Sequence, residues 1–292
     1  MKVYFAGFSY ALPKSHPALD WPVRELVSFW DQTRGTKKLD RVLSRPDVFL
    51  DSGAFSAWTR KVEIKLADYI DFVRRYKDRV SVYANLDVIG DAQATWDNQK
   101  EMEKNGLNPL PVFHSGKEDF SWLKKIADGY EYFGVGGVAG KDITVPQIIK
   151  HLDQIFGYLV DKKGQVRHKV HGFGITTLPI MLRYPFFSVD STAWVLQGRF
   201  GGIFIQLDGR VLAVSVSDRS PDQKKVGKHY KTLSGLEQKV VEDIVNKNGF
   251  TMEQVAKDYQ ARDIINIRFF QELERTWKRV DFNPGIVQGS FF

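Results

Sequence analysis

The stretch FFSVDSTAW, Phe186–Trp194, decides how this chain is read. Phe186, Phe187 and Val189 have the composition of a buried strand. Asp190 then arrives where the chain should still be inside, and Ser191-Thr192 follow at the point where a helix would open. A carboxylate at the carboxyl end of a buried strand is either a cap for the next helix or a functional group at the mouth of a sheet.

Working outward, the same design recurs. Short apolar runs lie at Val3–Gly7, Val48–Asp51, Val82–Asp87, Leu110–His114, Tyr132–Gly137, Lys169–Gly174 and Phe186–Asp190. Helix-like segments lie between them, at Val23–Thr33, Leu66–Tyr76, Ala92–Asn105, Phe120–Ala127, Val145–Leu159 and Leu178–Tyr184. Such alternation predicts an α/β fold with a parallel sheet and helical crossovers. Seven strands are countable, and Ile203–Gln206 is the expected eighth. The expectation is a (β/α)8 TIM-like barrel, with a doubly wound open sheet as the alternative.

The last part of the chain breaks the pattern. GGIFIQLDGRVLAVSVSD reads as a hairpin turning at Asp208-Gly209. Ser234 with Glu237 and Thr251 with Gln254 are expected capping boxes, the second opening a helix through Lys257 toward Gln260. A longer helix is expected from Ala261 to about Arg279. The apolar tail, with Phe291 and Phe292, is expected to pack back on the body. Residues 1–233 are thus expected to form the barrel with its terminal hairpin, and residues 234–292 a helical extension packed on it.

Composition narrows the function. The 292 residues include no cysteine, which excludes disulfides, thiolate zinc sites and cysteine nucleophiles. No run of eighteen apolar residues is present, so no membrane span is expected. VYFAGF reads as a first strand rather than a signal peptide, and the expected location is cytoplasmic. A net charge of +7 suits a polyanionic partner and equally an ordinary, mildly basic enzyme.

Polar residues gather at the strand ends: Asp51 in FLDSGAF, Asp87 in YANLDVIGD, His114 in VFHSG, Gly136 and Gly137 in GVGGVAG, His171 in VHGFG, Asp190 in SVDSTAW. In a barrel these ends meet around one mouth. One such acid is usually a helix cap; three in register, with glycines that let backbone come close, point to a pocket. Converging carboxylates can attack a sugar carbon and serve the leaving and entering groups, or can bind a divalent metal. His168 and His171 point to opposite faces of a strand and make no metal pair. Trp194, Phe186 and Phe187 read as packing.

Taken in order, DSGAF, NLD, GVGGVAG, GFGITT and VDSTAW…GRFGGIFIQLDG resemble the strand ends of the tRNA-guanine transglycosylase superfamily, over roughly Phe49 to Val211. The resemblance implies a (β/α)8 barrel that exchanges guanine for a 7-deazaguanine base without metal or nucleotide cofactor. It assigns Asp190 as the nucleophile on C1′, Asp51 as the general acid/base, and Asp87 as the reader of the N1–H and amino edge. Ser52 and Gly53 complete the Asp51 motif. Gly136 and Gly137 become the backbone near the base carbonyl. Phe55 becomes a stacking aromatic, and His171 stands where the family has a methionine on the other face. His114-Ser115-Gly116 replaces a glutamine and glycine, making His114 a candidate base contact or an internal hydrogen bonder.

The chain departs from the family in lacking the zinc subdomain, which needs cysteines; the helices after Ser234 stand in that place. GGVAGKD replaces GGLAVGE and puts Lys141 or Asp142 where a glutamate suits an aminomethyl cation, so a neutral base, the nitrile preQ0, is expected. A compact zinc-free chain resembles the DNA-modifying branch found in phages and bacterial gene clusters. The expected partners are therefore DNA with a flipped guanine, a 7-deazaguanine base and, compatible with the sequence, a helper protein. Arg199, Arg219, Lys224, Lys225 and Lys228 are candidate contacts to the nucleic-acid backbone, the last four also reading as an ordinary solvated loop. The alternatives are a tRNA-guanine transglycosylase, a metal-dependent barrel hydrolase using His114, His171, Asp51 and Asp190, and a catalytically silent nucleic-acid binder.

Overall fold

The computed structural model describes residues 1–33, 39–138, 143–175, 177–207, 210–278 and 281–282. The Asp208-Gly209 turn, Lys141, Asp142, Arg279 and the tail with Phe291 and Phe292 lie outside the described residues.

Strand β1 (Lys2–Ala6) and helix α1 (Phe8–Ala11) open the chain, followed by β2 (Arg24–Ser28), α2 (Phe29–Thr33) and α3 (Leu39–Leu43). β3 (Asp47–Asp51) leads to α4 (Ala54–Thr59) and α5 (Leu66–Tyr76), and β4 (Val82–Tyr83) to α6 (Ala92–Lys104). β5 (Val112–His114), β6 (Tyr132–Gly136), β7 (Lys169–Gly172) and β8 (Ser188–Ser191) are each followed by a helix. These are α7 (Phe120–Gly129), α8 (Val145–Leu159), α9 (Leu178–Arg183) and α10 (Ala193–Arg199). The chain then forms β9 (Gly202–Leu207), β10 (Arg210–Ser215), α11 (Gly235–Lys247), α12 (Met252–Lys257) and α13 (Tyr259–Thr276).

β1 to β8 form one curled, eight-stranded parallel sheet flanked by helices, in the order β4-β3-β2-β1-β8-β7-β6-β5, compatible with a TIM-like barrel. The segments just after β4 and just before β5 also touch. Ala84 and Leu110 form a parallel bridge, and the Leu110 N–H donates to the Tyr83 carbonyl at 2.8 Å.

Two expectations are corrected. Val23–Thr33 is not one helix but strand β2 followed by the short α2. Glu25 breaks the apolar run and gives the segment its helical look. It is fully buried on the outer side of β2, where it accepts from the Ser9 N–H (2.6 Å) and Oγ (2.7 Å) and pairs with Arg45 (3.3 Å). With β2 in the sheet, Ile203–Gln206 is not the eighth parallel strand; it belongs to β9, which pairs antiparallel with β10.

Strand parity explains Asp190. Successive side chains point to opposite faces, and in β8 Val189 packs in the core between sheet and helices while Ser188 and Asp190 face the other way. By the same alternation Tyr4, Leu26 and Phe49 turn inward and form an inner cluster with Ala84 and Leu110. Val3, Phe5, Phe113, Phe133, Val135 and Val170 turn outward, into the layer that also holds Phe186 and Trp194. The inward positions at the carboxyl ends are Asp51, His114, Gly136 and Asp190. At the opposite end Asp47 binds Lys2 (3.0 Å), Arg24 (2.6 Å) and the Tyr4 hydroxyl (2.9 Å), and Arg24 also pairs with Glu274 of α13 (2.5 Å). That ion network closes the foot of the sheet.

Both C-terminal capping boxes are present, at Ser234/Glu237 and Thr251/Gln254. β9 and β10 share an apolar cluster with α11 and α12, built from Ile203, Ile205, Val214, Val241, Val245 and Val255. α13 reaches further, placing Ile264, Ile267 and Phe270 in the main core. Among the described residues no helix is long and apolar enough to cross a membrane.

Candidate active site

At the carboxyl ends of the strands lies a cavity of about 220 Å³. Asp51, Ser52, Phe55, Asp87, His114, Gly136, Gly137 and Asp190 all line it, with Lys117 and Phe173 among the other wall residues. Gly53 and His171 are held just behind the wall.

Asp51 ends β3 and Gly53 turns the chain into α4. Gly53 has φ +77°, and a Cβ there would stand 2.4 Å from Ser28 Oγ and Trp30 Cβ, so the turn accepts only glycine. Its N–H donates to Asp51 Oδ2 at 2.9 Å. Burial, followed by the charges of Asp190 and Asp87, pushes Asp51 up to about 7. Phe55, one turn on, is 47 % exposed at the rim, beside the exposed Trp58; the Lys117 ammonium lies 5.2 Å from the Trp58 ring centroid.

His114 sits between two acids. Its Nε2 is 3.3 Å from Asp87 Oδ2 and its Nδ1 2.8 Å from Glu118 Oε1; Glu118 also accepts the His114 backbone N–H (3.1 Å). Burial opposes the charged ring, but the two carboxylates outweigh it and push His114 up to about 10, so it stands as an imidazolium. Burial raises Asp87 while His114 pulls it down. Asp87 Oδ1 is buried on the cavity wall and has no hydrogen-bond partner among the described residues.

Asp190 is held from one side. Oδ1 accepts the Gly174 N–H (2.8 Å) and faces His171 Nε2 (3.3 Å). His171 Nδ1 lies 2.8 Å from Ser188 Oγ, which is 2.8 Å from the Tyr132 hydroxyl. Burial keeps the His171 pKa low despite Asp190 and raises Tyr132 to about 12, so one proton arrangement satisfies the chain. Tyr132 donates to Ser188, Ser188 to Nδ1, and Nε2–H to Asp190. Oδ2 makes no hydrogen bond with a described residue.

His171 therefore does not present a stacking face. It is fully buried, its ring 4.5 Å from that of Phe49. On this side the aromatic that reaches the cavity is Phe173, two residues on and of the same parity, whose ring packs where a Cβ on Gly134 would stand 2.4 Å away. The sequence carried that signal in VHGFG. It also carried Glu118, four residues after His114. Lys117 carries no sequence signal beyond its place in the same loop.

The proposed backbone contacts separate into two groups. Arg199 and Arg219 line a second cavity, distinct from the first. Lys224, Lys225 and Lys228 stand exposed on the loop after β10, outside both cavities, with Lys225 paired to Asp222 at 2.5 Å. Among the described residues no three of His, Asp and Glu are grouped to hold a metal ion. No family model matches the chain, and neither does any curated protein.

Proposed function

We propose that this chain is a cytoplasmic DNA-guanine transglycosylase, exchanging guanine in DNA for a 7-deazaguanine base on a closed (β/α)8 barrel. The Ala84–Leu110 bridge is read as the seam of that barrel and β9–β10 as the expected hairpin. The observation that carries the reading is one small cavity with three aspartates in three different states of support. Among the described residues Asp190 is anchored through Oδ1 alone and Asp87 Oδ1 has no partner, while burial and neighbouring charge push Asp51 up to about 7.

In the reaction an Asp190 oxygen attacks C1′ of a flipped deoxyguanosine. The C1′–N9 bond breaks, its electron pair goes to N9, and the proton of Asp51 neutralises the departing guanine. The incoming base gives its N9 proton to Asp51. Its nitrogen then displaces the Asp190 carboxylate from C1′, restoring both acids with net retention. Asp87 Oδ1 accepts from the base N1–H and amino edge, His114 holds Asp87 in place, and Phe55 and Phe173 supply apolar faces for the ring. Lys117 on the wall disfavours a cationic substituent, in line with a neutral base such as preQ0.

The test is incubation with DNA and tRNA in parallel, each with labelled preQ0, followed by nucleoside mass analysis. Label in DNA that requires Asp190 supports the reading. Label in tRNA alone moves the assignment to RNA, and label in neither overturns it.

A further inference from the structure

The second cavity, about 460 Å³, is built where three separated parts of the chain meet: the turn after α10, the loop after β10, and the junction of α12 with α13. Arg199, Arg219, Lys257 and Arg262 line it together with Ser217 and Ser220. Lys257 is paired with Glu253 at 2.6 Å, but none of the three arginines has an ion pair among the described residues.

Arg262 is the informative one. It is only 5 % exposed, and its guanidinium is fixed by donating from Nε to the Gly198 carbonyl (2.8 Å) and from Nη1 to the Val255 carbonyl (2.5 Å). A guanidinium removed from water with no carboxylate at ion-pair distance among the described residues is costly, and a bound anion offsets that cost. Arg199 is braced by the Ala11 carbonyl (2.8 Å). The loop under Arg219 is also set: the Ser217 N–H donates to the Gly201 carbonyl (2.9 Å), and His229 Nε2 lies 3.2 Å from the Ser217 carbonyl.

The acids nearby leave the positive field standing. Asp218 is paired with Lys231 and Glu253 with Lys257, and Asp258 accepts the Gln260 N–H at the start of α13. Asp263 is fully buried beneath the site, and burial pushes it up to about 7, so it offsets the arginines only in part at neutral pH.

The cavity also presents two exposed rings, Phe200 at 72 % and Tyr259 at 41 % exposure. Rings with open faces beside unpaired guanidiniums are the pairing that grips single-stranded nucleic acid, bases on the rings and phosphates on the charges. We propose that this cavity binds a phosphate of a polynucleotide strand whose neighbouring base stacks on Phe200 or Tyr259. The seven-residue α10, about 10 Å long, joins it to Asp190, so the strand it holds is the one that feeds the first cavity. The inference rests on the proposed function for its purpose and on its own residues for its existence.

The test is fluorescence anisotropy with a labelled single-stranded oligodeoxynucleotide, titrated between about 50 and 200 mM salt. Arg219→Gln and Arg199→Gln are each expected to weaken binding several-fold and to flatten the dependence of log K on log salt by about 0.7, one phosphate contact. Lys163→Gln, in the exposed loop entering β7 at the foot of the sheet, is expected to leave the slope unchanged. An unchanged slope in both arginine variants overturns the proposal. So does thermal stabilisation by inorganic phosphate that both variants lose while oligonucleotide binding is intact, because the cavity then takes free phosphate rather than a strand. A slope change with no base exchange by the wild type leaves this site standing and removes the transglycosylase reading.

Discussion

Replacing Asp51 by Asn removes a proton equilibrium that the fold has displaced. Burial and the charges of Asp190 and Asp87 lift this carboxyl from the ordinary 3.8 to about 7. The native protein therefore holds a proton that the unfolded chain gives up. The stability contributed by that proton is fully present below about pH 4 and is lost as pH rises through 7. At about 1.4 kcal/mol for each pH unit the whole displacement is worth roughly 4 kcal/mol, of which roughly 2.5 falls between about pH 5 and 8. The assay is urea unfolding of wild type and Asp51→Asn, followed by fluorescence of the seven tryptophans, at both ends of that range. Taking the difference between the two proteins cancels the other titrating groups. The wild type should lose about 2.5 kcal/mol relative to Asp51→Asn on going from the lower to the higher pH. Placing both proteins in an Asp190→Asn background should shrink that loss, since the Asp190 charge is one of its causes. A difference that stays constant with pH, within about 0.5 kcal/mol, refutes the coupling and with it the assignment of Asp51 as an acid/base poised at neutrality.

Four further outcomes follow from the same geometry. If exchange runs as proposed, the wild type should form a denaturation-resistant protein–DNA adduct without an incoming base, and Asp190→Asn should abolish both that adduct and exchange of labelled guanine, read on gels and by scintillation. His171→Phe keeps a ring against Phe49 but removes the donor to Asp190; kcat should fall about tenfold with KM unchanged, measured by steady-state exchange. Phe55→Ala should raise KM with little change in kcat, by the about 1–3 kcal/mol of a base–aromatic contact. Gly53→Ala should cost about 2–4 kcal/mol in urea unfolding, since it combines a left-handed backbone with a Cβ placed 2.4 Å from its neighbours.

The parallel sheet was legible because strand and helix periods alternate, and the site because its polar residues sit at the carboxyl ends of strands. Asp51, Asp87, His114, Gly136, Gly137 and Asp190 were found that way and share one cavity. β2 was not legible. Its central Glu25 looks like the polar face of a helix, and only the Arg45 and Ser9 partners, sixteen or more residues away in sequence, make it a strand residue. The exchange of roles between His171 and Phe173 was hidden for a related reason. Both have inward parity, and which of them reaches the mouth is set by depth along β7, which a one-dimensional pattern does not encode. The pairing of Arg199 and Arg219 with Arg262 was out of reach altogether, since it depends on how α13 packs over the end of α10.

Three carboxylates in one small cavity cannot all be left as bare charges, because each raises the cost of ionising the next. The fold meets that constraint in three separate ways. Asp87 is matched by an imidazolium, itself locked by Glu118 from the other side. Asp51 retains a proton up to about neutrality. Asp190 is met by two neutral N–H groups, from Gly174 and His171, which hold one oxygen without adding charge. Those three states match the three tasks of a base exchange: a fixed acceptor for the base edge, a group that gives and takes a proton, and an anionic nucleophile. A metal site demands the opposite arrangement, carboxylates ionised and imidazoles neutral, all aimed at one point. Here the imidazoles are already committed, His114 to two acids and His171 to Ser188 and Asp190. The way each carboxylate is neutralised, more than the number of carboxylates, is what favours glycosyl transfer over metal-assisted hydrolysis at this mouth.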